Sequence, residues 1–186
     1  MSSDRVSLKS ANSKWLKGTP SAAAVRAGDL LFVSGQAALD DAGRPISGTV
    51  KQQTKAAFGR IKSILKEAGG SLADVVDVMS FHKDMRQTGD VFDVALREFK
   101  ADFPAWTALG MTGAQHPESD VVIRVIAHLG AGSKKCFTPR SLAWMRGLPM
   151  SGACRKGDYL FTSGLVSADS KGNVVSPGEH MAQARF

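Results

Sequence analysis

Arg26-Ala27-Gly28-Asp29-Leu30-Leu31-Phe32-Val33-Ser34-Gly35-Gln36 is the stretch on which the organisation of this chain turns. Its β-branched and aromatic run after Ala27-Gly28-Asp29 predicts a hairpin, with strands at Ala23–Arg26 and Leu30–Ser34. The same signature returns as Gly157-Asp158-Tyr159-Leu160-Phe161-Thr162-Ser163-Gly164. At a constant offset of 129 residues, 8–57 aligns onto 137–186 without a gap, and 14 of 50 positions are identical. Trp15 falls on Trp144, Gly18 on Gly147, Pro20 on Pro149 and Arg26 on Arg155. Asp40, Gly43 and Ser47 fall on Asp169, Gly172 and Ser176. A repeat this long is a whole domain rather than a solenoid unit. The chain is therefore read as one complete domain at 8–130, a linker and repeat start at 131–149, and the truncated first part of a second copy at 150–186. A strand pair without covering helices buries little apolar surface, so 150–186 is expected either to be loosely held or to pack onto the first domain.

Downstream of the first hairpin, Val50, Thr54, Ala57, Ile61, Leu65 and Ala68 recur at three- and four-residue steps, predicting a helix over Thr49–Ala68. Gly69-Gly70 supplies its stop. Val75–Lys83 reads as a strand. Asp90–Phe99 reads as a second helix, with Phe92, Ala95, Leu96 and Phe99 on one stripe. Trp106–Thr112 and Val121–Leu129 read as further strands around a polar, turn-rich Gly113–Asp120 loop. The fold class is α+β, a mixed sheet with two helices packed on one face. In the last strand Val121, Ile123, Val125 and Ala127 point one way, and Val122, Arg124, Ile126 and His128 the other. Both faces carry apolar residues while the helices cover one, which implies a partner sheet and hence an oligomer.

Composition narrows the function classes. Hydrophobic content is 43% and the net charge +7. The apolar runs are strand-sized, so no membrane-spanning helix is expected. No apolar leader with a small-residue cleavage site stands at the N-terminus. Cys136 and Cys154 match no zinc or redox spacing and make no disulfide framework, so a reducing cytoplasm is the expected compartment. No His/Asp/Glu cluster has metal-ligand spacing, and neither a metal nor a cofactor is expected. The basic residues are scattered without an aromatic stacking platform, which argues against nucleic acid as partner.

Three further segments, Gly69-Gly70-Ser71-Leu72-Ala73-Asp74-Val75-Val76, Ser80-Phe81-His82-Lys83-Asp84-Met85 and Phe103-Pro104-Ala105, join the opening stretch and the Val121–Leu129 strand in order. Together the sequence over roughly 20–130 resembles the Rid (YjgF) family. That resemblance implies a chorismate-mutase-like fold, a homotrimer with ligand clefts between subunits, and cofactor-free hydrolysis of reactive enamines and imines. Endoribonuclease or translation-inhibitor activity is a less favoured reading attached to the same family. The resemblance also implies a substrate-clamping Arg directly after Phe-Pro-Ala, where this chain has Trp106. The family's Glu on the last strand falls at Val122, its N-terminal Tyr at Ser21, and its Asn before the second helix's stripe near Phe92.

An indole has one donor and no charge, so it cannot grip a carboxylate as a guanidinium does. The expected activity is therefore an imine or enamine deaminase with altered substrate preference, toward less anionic or more aromatic compounds. The alternative is a non-catalytic small-molecule-binding or regulatory trimer. Ser34, Gly35, Phe81, Trp106, Ala108 and Val122 are the expected substrate-binding residues. Ser34 and Arg124 are the catalytic candidates, Arg124 because it sits two residues beyond Val122 on the same strand face. His82 and His116 are weighed as acid–base groups.

Overall fold

A computed structural model describes residues 5–9 and 11–185. Ser10 and Phe186, which fall inside the two expected domain ranges, lie outside the described residues. The first domain runs β1 (Arg5–Leu8), a 3-10 turn at Ala11–Leu16, β2 (Ala24–Ala27), β3 (Leu30–Gln36), α1 (Val50–Glu67), β4 (Val75–His82), α2 (Thr88–Phe99), β5 (Ala105–Gly110) and β6 (Val121–His128). Its six strands order as β1-β2-β3-β6-β4-β5. Only β4 and β5 pair in parallel, joined by α2; the other pairs are antiparallel. This is the mixed α+β layer expected from the sequence.

Local chemistry sets the helix ends. Thr49 accepts the Gln52 N–H while the Gln52 side chain accepts from the Thr49 N–H, a closed capping box. The predicted terminal residues Thr49 and Ala68 are thus the caps of α1. Past Ala68 the chain reverses at Gly69, whose φ of +83° suits a residue without Cβ. The inner face of α1 (Ala57, Phe58, Ile61, Ile64, Leu65) packs on Val121, Ile123, Val125 and Ala127 of β6 and on Val91, Ala95 and Phe99 of α2. In α2 the stripe is narrower than predicted: Leu96 is 36% exposed, and Val91 takes a core place.

The opposite sheet face is partly covered by the chain itself. β7 (Lys135–Phe137), β8 (Ala153–Lys156) and β9 (Tyr159–Thr162) form a separate three-stranded sheet, and a short α3 (His180–Arg185) follows. Cys154 is buried against Val76 and Ala105 of the first domain, with Ile126, Cys136 and Phe161 around it. Ser151 pairs with Ala105 in parallel, and its N–H donates to Pro104 O at 2.9 Å. Lys156, 7% exposed, donates to Asp74 Oδ1 at 3.0 Å and to His128 O at 2.8 Å. Burial pushes the Asp74 carboxyl up, but the Lys156 ammonium and the Ser71 N–H outweigh it and hold it below its ordinary value.

One expectation is corrected. Cys136 and Cys154 are disulfide-bonded, with Cα atoms 4.1 Å apart. They face each other across β7 and β8, a proximity made by strand pairing that spacing along the chain does not reveal. The inference of free thiols, and with it the argument for a reducing compartment, falls away.

Candidate active site

The Ser34-Gly35-Gln36 end of β3 is held by short-range bonds. Ser34 N–H donates to Ala23 O at 3.0 Å and its hydroxyl to Ala22 O at 2.8 Å. Behind the turn lies Arg60 of α1, 7% exposed. It donates to Gln36 Oε1, Leu39 O and Ser13 Oγ, each at 3.2 Å. Burial lowers its pKa, opposed by Asp41 and Asp40, yet a guanidinium stays charged under any such shift. A cation on the apolar face of α1, among Ala57, Ile61 and Ile64, was the sequence signal for this post; it passed unused.

The Gly113–Asp120 loop is pinned over the same turn. Gln53 of α1 donates to Asp120 Oδ2 at 3.0 Å and to Glu118 O at 3.1 Å, and accepts the Asp120 N–H at 2.9 Å. Lys83 Nζ donates to Pro117 O at 2.9 Å. Between loop and turn lies a groove of about 300 Å³, lined by Trp15, Gly35, Gln36, Phe81, His116 and Val122 among others. It continues into a second hollow bounded by Ser21, Ser34 and Trp15. Among the described residues no Lys, Arg, Asp or Glu side chain lines either hollow, and His116 is the one titratable side chain on their walls. Trp15 Nε1 and Ser119 Oγ, both from lining residues, are buried without a hydrogen-bond partner among the described residues.

The expected site residues divide. Gly35, Phe81 and Val122 line this groove, and Ser34 lines the adjoining hollow with Ser21. Trp106 and Ala108 do not; they line a different hollow, on the far side of β4. Trp106 is fully buried. Its indole N–H donates to Ser80 Oγ at 2.8 Å, and its ring meets Phe92 and Phe99 edge-on, with centroids 5.5 and 6.3 Å away. The clamp position is thus filled by a core residue that forms the floor of its hollow. Ser80 Oγ also shares a 2.8 Å hydrogen bond with His82 Nε2. His82 is 1% exposed, and burial lowers its pKa. The weighed acid–base role of His82 therefore gives way to a sealed core contact.

Arg124 lines neither hollow. It sits on the sheet face away from the two helices, paired with Met79 of β4. There it draws down the Asp77 carboxyl, which burial pushes up to about 6. Strand alternation placed Arg124 and Val122 on one face correctly; the groove does not extend along that face as far as Arg124. Trp15 was missed as a site element, although it is the bulkiest residue matched at the 129-residue offset.

A six-stranded mixed sheet under two helices, with uncharged hollows at the ends of its strands, defines a chorismate-mutase-like α+β protein. The chain belongs to the Endoribonuclease L-PSP family, which matches residues 18–129, the RidA/YjgF/RutC group that its sequence resembles. RutC family protein YjgH of Escherichia coli is 40% identical over 109 residues, 58% of this chain and 81% of that protein. A solved structure of protein YJGH superposes with a TM-score of 0.62 at 34% identity, covering 69% of this chain and 99% of its own. A 2-iminobutanoate/2-iminopropanoate deaminase of Dermatophagoides farinae is 26% identical over 93 residues, 50% of this chain and 73% of that protein. No helix among the described residues is long and apolar enough to cross a membrane.

Proposed function

We propose that this protein is a cofactor-free imine or enamine hydrolase whose substrates lack the carboxylate that a cationic clamp would hold. The observation that carries this reading is the wall chemistry of the groove at Ser34–Gln36, which is apolar and hydroxyl- or amide-bearing and, among the described residues, has no charged side chain. Trp106 takes up the clamp position without supplying charge there. A carboxylate moved from water to such walls leaves its charge unpaired, which costs several kcal/mol (order of magnitude). A neutral imine loses far less. Gln36, backbone groups at Ser34 and Gly35, and His116 are the groups available to polarise the C=N bond and position water. The name of the Dermatophagoides relative supports imine hydrolysis as the reaction class.

The decisive measurement is ammonia release from a matched pair of imines, one bearing a carboxylate and one with that carboxylate amidated. Preferential turnover of the neutral member is expected, and preferential turnover of the anionic one would overturn the reading. Binding without turnover of either member would favour a non-catalytic binder, a reading that the scarcity of titratable groups on the walls also fits. We propose in addition that further copies of the chain, as a homotrimer, cover the sheet face left open around Phe32, Phe81 and Val122, where Phe32 is 36% exposed. Light scattering across a dilution series reads the assembly state.

A further inference from the structure

The β7–β8 pair repeats the β1–β2 pair at the same 129-residue offset: Lys135 faces Arg155 where Val6 faces Arg26. The charge of the two pairs differs. The second repeat has Lys135 and Lys156 where the first has Val6 and Ala27. Like charges directly across an antiparallel pair repel, and neither Lys135 nor Arg155 makes an ion pair among the described residues. The Cys136–Cys154 bond on the neighbouring rung fixes that register.

These cations surround a hollow of about 310 Å³, lined by Ser133, Lys135, Arg155, Lys156 and Gly157. Among the described residues no carboxylate stands on its walls; Asp158, next along the chain, does not line it. Lys134 adjoins it. Burial lowers the Lys134 pKa, Asp102 and Asp74 oppose that, and the charge of Lys156 adds to it. Lys134, Lys135, Arg155 and Lys156 thus stand against Asp74 and Asp102, and Asp74 is already bonded to Lys156. Donor capacity is left over. Lys156 directs N–H groups at Asp74 and His128 O, and an ammonium carries a third. Arg155 commits Nε to Gly157 O at 3.2 Å, which leaves its Nη groups for a ligand.

We infer that this hollow binds a compact, multiply charged anion, the phosphate or diphosphate group of a small molecule, through Lys135, Arg155 and Lys156. An anion between Lys135 and Arg155 replaces their repulsion with two attractions, and a guanidinium can meet phosphate oxygens bidentately. The site is separate from the Ser34–Gln36 groove and independent of whether that groove catalyses hydrolysis.

Inorganic pyrophosphate is the probe, titrated into the full chain at an ionic strength held constant with chloride. Calorimetry and amide NMR are expected to show saturable binding that shifts signals at 133–135 and 155–157. Lys135→Val introduces the residue of the matched first-repeat position and is expected to weaken binding about fivefold or more. The Lys135→Gln, Arg155→Gln double variant, altered only at exposed positions, is expected to weaken it about tenfold or more. Lys55→Gln with Lys100→Gln, exposed on the helix side of the first domain, is expected to change it less than about twofold. Absence of pyrophosphate binding at millimolar concentration, shifts confined to other segments, or indifference to Lys135 and Arg155 would each overturn the inference. So would capture by phosphatidic-acid vesicles without binding of soluble pyrophosphate. Tighter binding of a single-stranded RNA dodecamer, weakened as much by the Lys55 and Lys100 changes as by those at Lys135 and Arg155, would replace the site with a diffuse nucleic-acid surface.

Discussion

Leu31 of β3 and Leu160 of β9 match at the 129-residue offset of the sequence, yet Leu31 is fully buried and Leu160 is 57% exposed. Their local surroundings agree closely. Arg26 and Arg155 each donate Nε to the carbonyl two residues on, Gly28 and Gly157, at 3.0 and 3.2 Å. Asp40 and Asp169 each cap the turn four residues ahead. Gly43 and Gly172 each pass close to a tryptophan ring, Trp15 and Trp144. Isolated bridges pair Leu39 with Pro45 and Ala168 with Val174. What differs is the cover. β3 pairs with β6 and lies under α1, whereas β9 pairs only with β8 among the described strands and seats its end on β5. Backbone conformation is thus shared between the two matched segments while burial is not, because burial depends on elements more distant in the chain.

Mutation of the two leucines should separate these contributions most sharply. Leu31→Ala is expected to cost about 3 kcal/mol in urea unfolding, through lost burial and a residual cavity. Leu160→Ala should cost about 0.5 kcal/mol or less; equal losses would mean that a cover over β9 had been overlooked. Next in size is Lys156→Met, which strips Asp74 and His128 O of their buried donor. The expected cost is about 2 kcal/mol, read as faster hydrogen exchange in 151–166 with the first domain unchanged. The same contact carries a pH dependence. Because the folded-state Asp74 pKa is depressed, its stabilisation is present above the unfolded value of 3.8 and lost as the pH falls through the folded value.

The two glycines give a smaller contrast. Both have positive φ, +80° at Gly43 and +87° at Gly172. A Cβ would meet the Trp15 ring at 2.7 Å but Trp144 at 3.2 Å. Gly43→Ala should therefore cost about 1.5 kcal/mol and Gly172→Ala about 1 kcal/mol, as midpoint shifts in denaturant. A last, pH-dependent effect is expected at Asp77, on the sheet face that β7–β9 partly cover. Its pKa is raised from 3.8 to about 6, so the folded state holds the proton more tightly than the unfolded chain. Stability contributed by the protonated form is present below pH 4 and lost as the pH rises through about 6. Asp77→Asn should then gain of the order of 1 kcal/mol over wild type near neutrality, after solvent screening, with the advantage vanishing below pH 4. A pH-independent difference would assign the effect to packing instead.

The sequence by itself determined the hairpin at Gly28-Asp29, the capped span of α1, the alternation along β6 and the repeat at a constant offset. Each rests on bonds or periodicities that reach only a few residues, so a short window contains its cause. Of the residues it singled out, Gly35, Phe81 and Val122 line one groove and Ser34 the hollow that adjoins it. Tertiary structure alone decided that Trp106 is sealed between Ser80, Phe92 and Phe99, that Cys136 meets Cys154, that Arg60 braces Gln36 from behind, and that the second repeat closes on β5. These outcomes depend on which distant strand or helix crosses a given face, and the free energy of burial is set only once that neighbour is in place.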